Sequence, residues 1–344
     1  MIQKPKLVFI KLQTLFKICK ERRGIMRRIA VLTSGGDSPG MNAAIRAVVL
    51  RGIDKGLEVF GVYNGYEGLL EGNIVPMNQK YVDGIIQRGG TILRTSRSDR
   101  FKLEESQFDA IRKLKNLDIE GLVVIGGDGS FQGAMKLCEK GLPVVGIPGT
   151  IDNDISGTDY SIGFNTAVST AIDAIDKICD TAYSHEKTSI VEVMGRGAGD
   201  IALWAGLCSG ADSIIIPEAT YQIKDVITRI QTARERGEKD CIIIVAEGVC
   251  SAEEIKKELQ EQIQLDTRVV VLGFLQRGGT PSAYDRMIGS QMGAKAVDLI
   301  LDGNHGTMVS VKDGKITYTP FEQAAKEAHK IDMSLYQLAL SLSS

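Results

Sequence analysis

The sequence predicts an α/β fold: two Rossmann-like three-layer α/β/α domains with mostly parallel sheets. Two patterns and the chain length carry this expectation. From Arg28 onward, short apolar runs that stop at glycine alternate with segments of helical periodicity, and the second half repeats the theme. Strands that alternate with helices form parallel sheets covered on both faces. At 344 residues the chain exceeds one typical domain, which makes room for two such units.

Residues 29–32 read as the first strand, followed by the loop Ser34-Gly35-Gly36-Asp37-Ser38-Pro39-Gly40 and a helix over 41–54. Residues 57–62 form the next strand. The strand 122–125 runs into Gly126-Gly127-Asp128-Gly129-Ser130, after which a helix continues through Lys140. The apolar run 142–147, punctuated by Gly146, is a buried strand that ends in Pro148-Gly149-Thr150-Ile151-Asp152-Asn153-Asp154; a helix over 166–180 comes next. Strands at 190–194, 213–216, 241–246 and 269–272 build the second half, with the boundary between the halves near Asn165.

Composition narrows the function. A hydrophobic fraction of 43% and a charged fraction of 24% are those of a soluble globular protein. A net charge of -2 argues against a nucleic-acid binder, which needs a basic footprint. The six cysteines (Cys19, Cys138, Cys179, Cys208, Cys241, Cys250) form no C-x-x-C pair, and three histidines are too few to suggest zinc. They fit free thiols in a reducing cytosol. Residues 1–25 stand apart as a basic extension, with seven Lys and Arg against Glu21. It lacks the apolar core and cleavage site of a signal peptide. The favoured reading is an over-long start with Met26 as initiator; the alternative is an amphipathic helix at a membrane surface. No later segment approaches the ~20 apolar residues of a membrane span.

Three strand ends share a chemistry. At 34–40 and 126–130 a buried strand stops, glycines let a ligand approach the backbone, and a helix N-terminus offers free N–H groups. Asp37 and Asp128 would repel a bare phosphate, but they suit one that carries Mg²⁺. No G-x-x-x-x-G-K-[ST] occurs, which excludes a P-loop, and Gly195-x-Gly197-x-Gly199 reads as a tight turn. The third strand end places Asp152 and Asp154 where open α/β sheets bind ligands; a polar turn is the plainer alternative. Phosphoryl transfer also needs cations and a base. Arg94, Arg97 and Arg100 lie in a polar loop, while Arg196, Arg277 and Glu247 each follow a strand. Glu247 is placed to accept hydrogen bonds from sugar hydroxyls.

Taken in order, Thr33-Ser34-Gly35-Gly36-Asp37, Gly126-Gly127-Asp128-Gly129-Ser130, Pro148 to Asp154, Val193-Met194-Gly195-Arg196 and Gln276-Arg277-Gly278-Gly279 resemble the bacterial ATP-dependent 6-phosphofructokinase family across 26–344. The resemblance implies Mg²⁺-dependent transfer from ATP to the 1-hydroxyl of fructose 6-phosphate, a step of glycolysis, by a cytoplasmic homotetramer. It makes Asp152 the general base, with Thr150 and Asp154 orienting it and the metal. Asp128 holds Mg²⁺. Gly36, Arg97, Ser98, Gly127, Asp128, Gly129 and Ser130 receive ATP, and Arg196 and Arg97 stabilise the moving phosphoryl group. The sugar phosphate falls to Thr150, Asp152, Lys187, Met194, Gly195, Arg196, Glu247, Arg268, Phe274 and Arg277, with Arg268 reaching a neighbouring subunit. By the same resemblance, 26–164 plus 277–326 form the ATP-binding domain. Residues 165–276 plus 327–344 form the fructose 6-phosphate-binding domain.

This chain departs from the family at two pocket positions, where Lys187 replaces an arginine and Phe274 a histidine. Each is expected to cost about 1–2 kcal/mol of sugar-phosphate binding. The family's effector site keeps Arg46 and Arg236 but has Leu50, Asn73, Cys179 and Glu238 where basic residues are usual, and Asp212 in place of glutamate. A weak response to nucleoside diphosphate or phosphoenolpyruvate is the expectation. Gly129 and Gly149 favour ATP over pyrophosphate, whose enzymes carry Asp and Lys there. A tagatose 6-phosphate kinase and a non-catalytic paralogue are the other readings. Intact Asp128 and Asp152 speak against the paralogue.

Overall fold

The computed structural model describes residues 26–343, so the basic extension expected at 1–25 lies outside the described residues. The first half contains β1 (Arg28–Ser34), α1 (Met41–Asp54), β2 (Glu58–Val62), α2 (Gly65–Glu71), β3 (Ile74–Met77), α3 (Glu104–Asn116), β4 (Gly121–Gly126), α4 (Asp128–Glu139), β5 (Val144–Thr150) and β6 (Ile162–Gly163). Then come α5 (Phe164–His185), β7 (Thr188–Val193), α6 (Asp200–Cys208), β8 (Ser213–Ile215), α7 (Ile223–Glu235), β9 (Cys241–Ala246), α8 (Ala252–Ile263) and β10 (Thr267–Val271). A short 3₁₀ turn at Gly273–Arg277 leads to α9 (Ala283–Leu301), β11 (Thr307–Lys312), β12 (Lys315–Pro320), α10 (Phe321–Lys326) and α11 (Met333–Leu342).

The strands form two sheets, as an α/β reading requires. The larger has the order β12-β11-β5-β4-β1-β2-β3, with β6 paired to β5. The smaller has the order β10-β7-β9-β8 and is parallel throughout. The larger sheet is parallel except at its margins, where β3 runs antiparallel to β2 and β12 antiparallel to β11. Both marginal strands carry proline: Pro76 stands opposite Phe60, and Pro320 opposite Thr307. Each sheet is faced by apolar residues on both sides. Ile29, Val31, Val123 and Ile125 pack toward α1 and α9, while Ala30, Leu32, Leu122 and Val124 pack toward the opposite layer with Leu69, Leu114 and Leu137. The smaller sheet likewise divides between a cluster around Val191, Ile244 and Ile201 and one around Ile190, Ile243 and Ile255. Alternating side-chain direction puts successive strand residues into different layers.

Three expected boundaries are corrected. The helix after β4 starts at Asp128, so Asp128, Gly129 and Ser130 occupy its first turn instead of a preceding loop. A first-turn carboxylate suits the positive end of a helix dipole. Strand β5 continues through Pro148, Gly149 and Thr150, because β4 and β6 still pair with it there, and the turn proper opens at Ile151. The helix expected over 166–180 spans Phe164–His185.

That helix is anchored to α9 by one buried carboxylate. Asp285, fully buried, accepts from the N–H groups of Gly163 and Thr166 at 2.8 Å each and from the Thr166 hydroxyl. It thereby caps the start of α5, where intrahelical acceptors are missing. Asp285→Asn turns one acceptor oxygen into a donor facing these donors. The expected loss is about 2 kcal/mol of stability, measurable by urea unfolding; an unchanged midpoint would show that the contacts contribute nothing net.

Candidate active site

Strand β1 pairs with β2 on one side and β4 on the other, so the chain leaves it in opposite directions. The carboxyl ends of β1 and β4 flank the resulting crevice, where doubly wound sheets take ligands. Ser34 and Gly126 stand side by side there. The Ser130 hydroxyl donates to the Ser34 carbonyl at 3.0 Å and ties the two glycine-rich segments together. A cavity of about 670 Å³ opens at this point. It is lined by Gly36, Arg97, Ser98, Gly127, Asp128, Gly129, Ser130, Thr150, Asp152, Asp154, Arg196 and Arg277, all expected from the sequence.

Asp152 lies at its floor and is only 2% exposed. Its Oδ2 is 3.2 Å from the Arg196 Nε, while Oδ1 is buried with no protein partner. Burial first, then the neighbouring Asp154 carboxylate, pushes its pKa up to about 6; Arg196 and Arg277 pull the other way. Burial likewise raises Asp154. The conformation that separates the two carboxylates comes from Asn153, which is left-handed with φ 54°. Its Oδ1 accepts from the Ser161 N–H at 2.9 Å, and the Ser161 hydroxyl donates to the Thr150 carbonyl at 2.7 Å.

Arg196 is held from the other sheet. It follows β7 in a left-handed turn with φ 51°. Glu247, just after β9, accepts the N–H groups of Gly195 and Arg196 through its Oε1, at 3.3 and 3.0 Å. The residue after it, Gly248, passes so close to this turn that an added Cβ would sit 1.8 Å from the Arg196 carbonyl oxygen. Gln276, fully buried, accepts the Met194 N–H at 2.9 Å. Met194, Gly195 and Glu247 therefore build the turn from behind and do not line the cavity itself. Arg277 lies over Gly36, with its guanidinium 3.6 to 3.8 Å from where a Cβ would stand.

Three expected sugar-phosphate residues are elsewhere. Lys187 and Arg268 stand at the amino ends of β7 and β10, the opposite end of the small sheet from Arg196 and Glu247. Six residues of strand span roughly 20 Å, too far for either side chain to reach the chain's own cavity. Lys187 pairs with Asp266 at 2.7 Å, and Arg268 is exposed. Phe274 is 76% exposed and meets the site only through Arg277, whose guanidinium lies 5.2 Å from its ring centre. The two glycines at 129 and 149 differ in the space around them. A Cβ at Gly129 would meet nothing within 4 Å, whereas one at Gly149 would press on Ile125 and Met41 at 3.1 Å. Both border the cavity, but of the two only Gly129 would admit a side chain without pressing on the core.

Other cavity residues escaped the sequence reading. Tyr66 stacks on Phe101 with ring centres 4.0 Å apart and donates to the Ser130 carbonyl at 2.6 Å, forming an aromatic wall opposite the glycines. Lys102, Gln107, Gln132 and Lys136 also line it, beside Asp37, which the sequence had singled out. The Asp128 carboxylate accepts from Gln132 at 2.8 Å. Among the described residues no group of three or more His, Cys, Asp or Glu is arranged to hold a metal by itself. Carboxylate oxygens at Asp128 and Asp154 nevertheless fit Mg²⁺, which takes one or two carboxylates and completes its shell with water and substrate phosphates.

A buried carboxylate beside an arginine, with glycine-lined helix N-termini at a doubly wound crevice, suits a phosphotransferase of the α/β class. Residues 28–300 match the family described as Phosphofructokinase, and the chain belongs to that family. The protein named ATP-dependent 6-phosphofructokinase in Halalkalibacterium halodurans is 55% identical over 318 residues, which is 92% of this chain and 100% of that one. Its namesake in Bacillus mycoides is 57% identical over the same shares. A crystal structure of Pichia pastoris phosphofructokinase in the T-state superposes with a TM-score of 0.84 at 36% identity, covering 92% of this chain. This chain spans 39% of that much longer one.

Proposed function

We propose that the protein transfers the terminal phosphoryl group of ATP to the 1-hydroxyl of fructose 6-phosphate, giving fructose 1,6-bisphosphate. The observation that carries this is Asp152: a buried carboxylate with a pKa near 6, one oxygen on Arg196 and the other unpartnered. A base with a pKa close to the working pH is suited to take the hydroxyl proton as the oxygen attacks. Arg196, fixed by Glu247, holds the base and faces the charge that develops on the phosphoryl group; Arg97 and Arg277 add positive charge from other walls. Gly127, Gly129 and the first turn of α4 offer N–H groups to the nucleotide phosphates. Bound Mg²⁺ would neutralise phosphate charge, with Asp128 as its main protein ligand.

The relatives' names favour ATP as donor, and the open space at Gly129 supports this. Lys187 and Arg268, turned away from their own cavity, fit a role in a neighbouring copy's site within a homotetramer. A weakened effector site is in keeping with its local pairing: Glu238 lies 3.5 Å from Arg236, and Arg51 is held by Asp298 and Asp54.

Steady-state assay with Mg²⁺, ATP and fructose 6-phosphate tests the reading. The expected result is bisphosphate formation, faster than with pyrophosphate as donor or tagatose 6-phosphate as acceptor. Faster turnover with either of those would overturn the corresponding half of the proposal. The rate should also fall as pH drops through about 6, because protonated Asp152 cannot accept the hydroxyl proton. A flat kcat profile from pH 5 to 8 would remove Asp152 from the role of base.

A further inference from the structure

Asn153 sets the directions of Asp152 and Asp154, and something must set Asn153. Its Oδ1 is taken by Ser161, but its Nδ2 faces the second sheet, 3.3 Å from the Asp159 carbonyl and 3.5 Å from the Asp200 Oδ1. Asp200 opens α6 and is 5% exposed. It is also four residues past Arg196, on the same stretch that the Glu247 carboxylate pins. Its second oxygen, Oδ2, lies 2.7 Å from the His329 Nε2. His329 belongs to the segment between α10 and α11, far from the site in sequence, and its side chain is 18% exposed. A buried carboxylate without a compensating donor is costly, and the imidazole supplies that donor.

We propose that Asp200 and His329 are positioning residues of the phosphoryl-transfer site, acting through Asn153 to keep Asp152 aligned with Arg196. The inference rests on the activity proposed above. The Asp200 side chain contacts Asn153 of the Asp152 loop while its own backbone continues the Arg196 turn, so a shift of its carboxylate changes both at once. His329 fixes that carboxylate from its far side. The hydrogen bond to Asp200 raises the histidine's pKa, which favours the proton on the imidazole. Neither residue lines the cavity that holds Asp152 and Arg196.

The test is a kcat and KM comparison in the full chain. His329→Leu removes the donor, His329→Asn keeps polarity but falls short of Asp200, and His329→Gln places an amide N–H where Nε2 stood. The Leu and Asn variants should lose about tenfold in kcat with KM for both substrates within about twofold, and Gln should restore most of the rate. Amide hydrogen exchange over residues 151–161 should quicken in the Leu and Asn variants without any substrate, a readout independent of the reaction assigned. Asp200→Asn combined with His329→Leu should lose little more than either alone. A wild-type kcat in both the Leu and Asn variants overturns the inference, as does a loss confined to KM or unchanged exchange in the loop. Absence of fructose 6-phosphate kinase activity in the wild-type chain would instead refute the proposed function, and the exchange measurement would still decide the positioning role.

Discussion

Asp152→Ser is expected to lower kcat by about 10²–10⁴-fold, the usual worth of general-base assistance, with KM for both substrates little changed. The substitution removes the proton acceptor but leaves Arg196, Arg277 and the glycine-lined helix start in place, so binding should persist. The same carboxylate carries a stability signature. Its pKa in the fold, about 6, exceeds the ordinary carboxylate value, so the folded chain binds this proton more tightly than the unfolded chain does. The fold therefore gains from protonation at low pH and loses that gain as pH rises through about 6. Asp152→Asn, which mimics the neutral form, should raise the unfolding free energy at pH 8 by up to roughly 2–3 kcal/mol, with the gain vanishing toward pH 4. A variant that loses activity without gaining stability at pH 8 would mean that Arg196 and Arg277 offset the burial penalty.

Gly248→Ala should cost about 10²-fold in kcat although the residue does not line the cavity. An added Cβ would stand 1.8 Å from the Arg196 carbonyl oxygen and 2.9 Å from its carbon, both backbone atoms that no side-chain rotation can relieve. The turn must move, and its displacement carries the guanidinium away from Asp152. Misplacement of a catalytic group by about 1 Å is enough for a loss of this size. The control is Gly197→Ala in the same turn, where a Cβ meets nothing within 4 Å. It should leave kcat within about twofold. Equal losses in both variants would show that the turn tolerates no change at all, and that the close approach at Gly248 is not the cause.

The strand ends were legible because their signals are local: an apolar run, a glycine and a carboxylate within a few residues. The central strands β1, β4, β5, β7 and β9 and the two glycine-rich segments were found this way. The marginal strands of the larger sheet, β3 and β12, were not. Ile74–Met77 is four residues long with a proline inside it, which reads as loop until β2 supplies a partner. Asp200 and His329 were missed, and Asn153 and Gln276 stood in quoted motifs without a role, for a related reason. Each is one polar residue whose partner is remote in sequence, such as Asp200 and His329, 129 positions apart. Lys187 and Arg268 were marked by the family resemblance, which already directed Arg268 to a neighbouring subunit, and strand register shows that both stand at the end of the small sheet away from their own cavity.

The prolines on the two marginal strands of the larger sheet limit how copies of the chain can associate. Pro76 and Pro320 each lack the N–H that another strand would need, and Lys312 and Lys315 place positive charge beside the β11–β12 turn. Edge strands equipped in this way resist the addition of a foreign strand and the fibre growth it can start. Neither margin of the larger sheet is therefore suited to pair with another copy, so this sheet is kept from lengthening edge to edge.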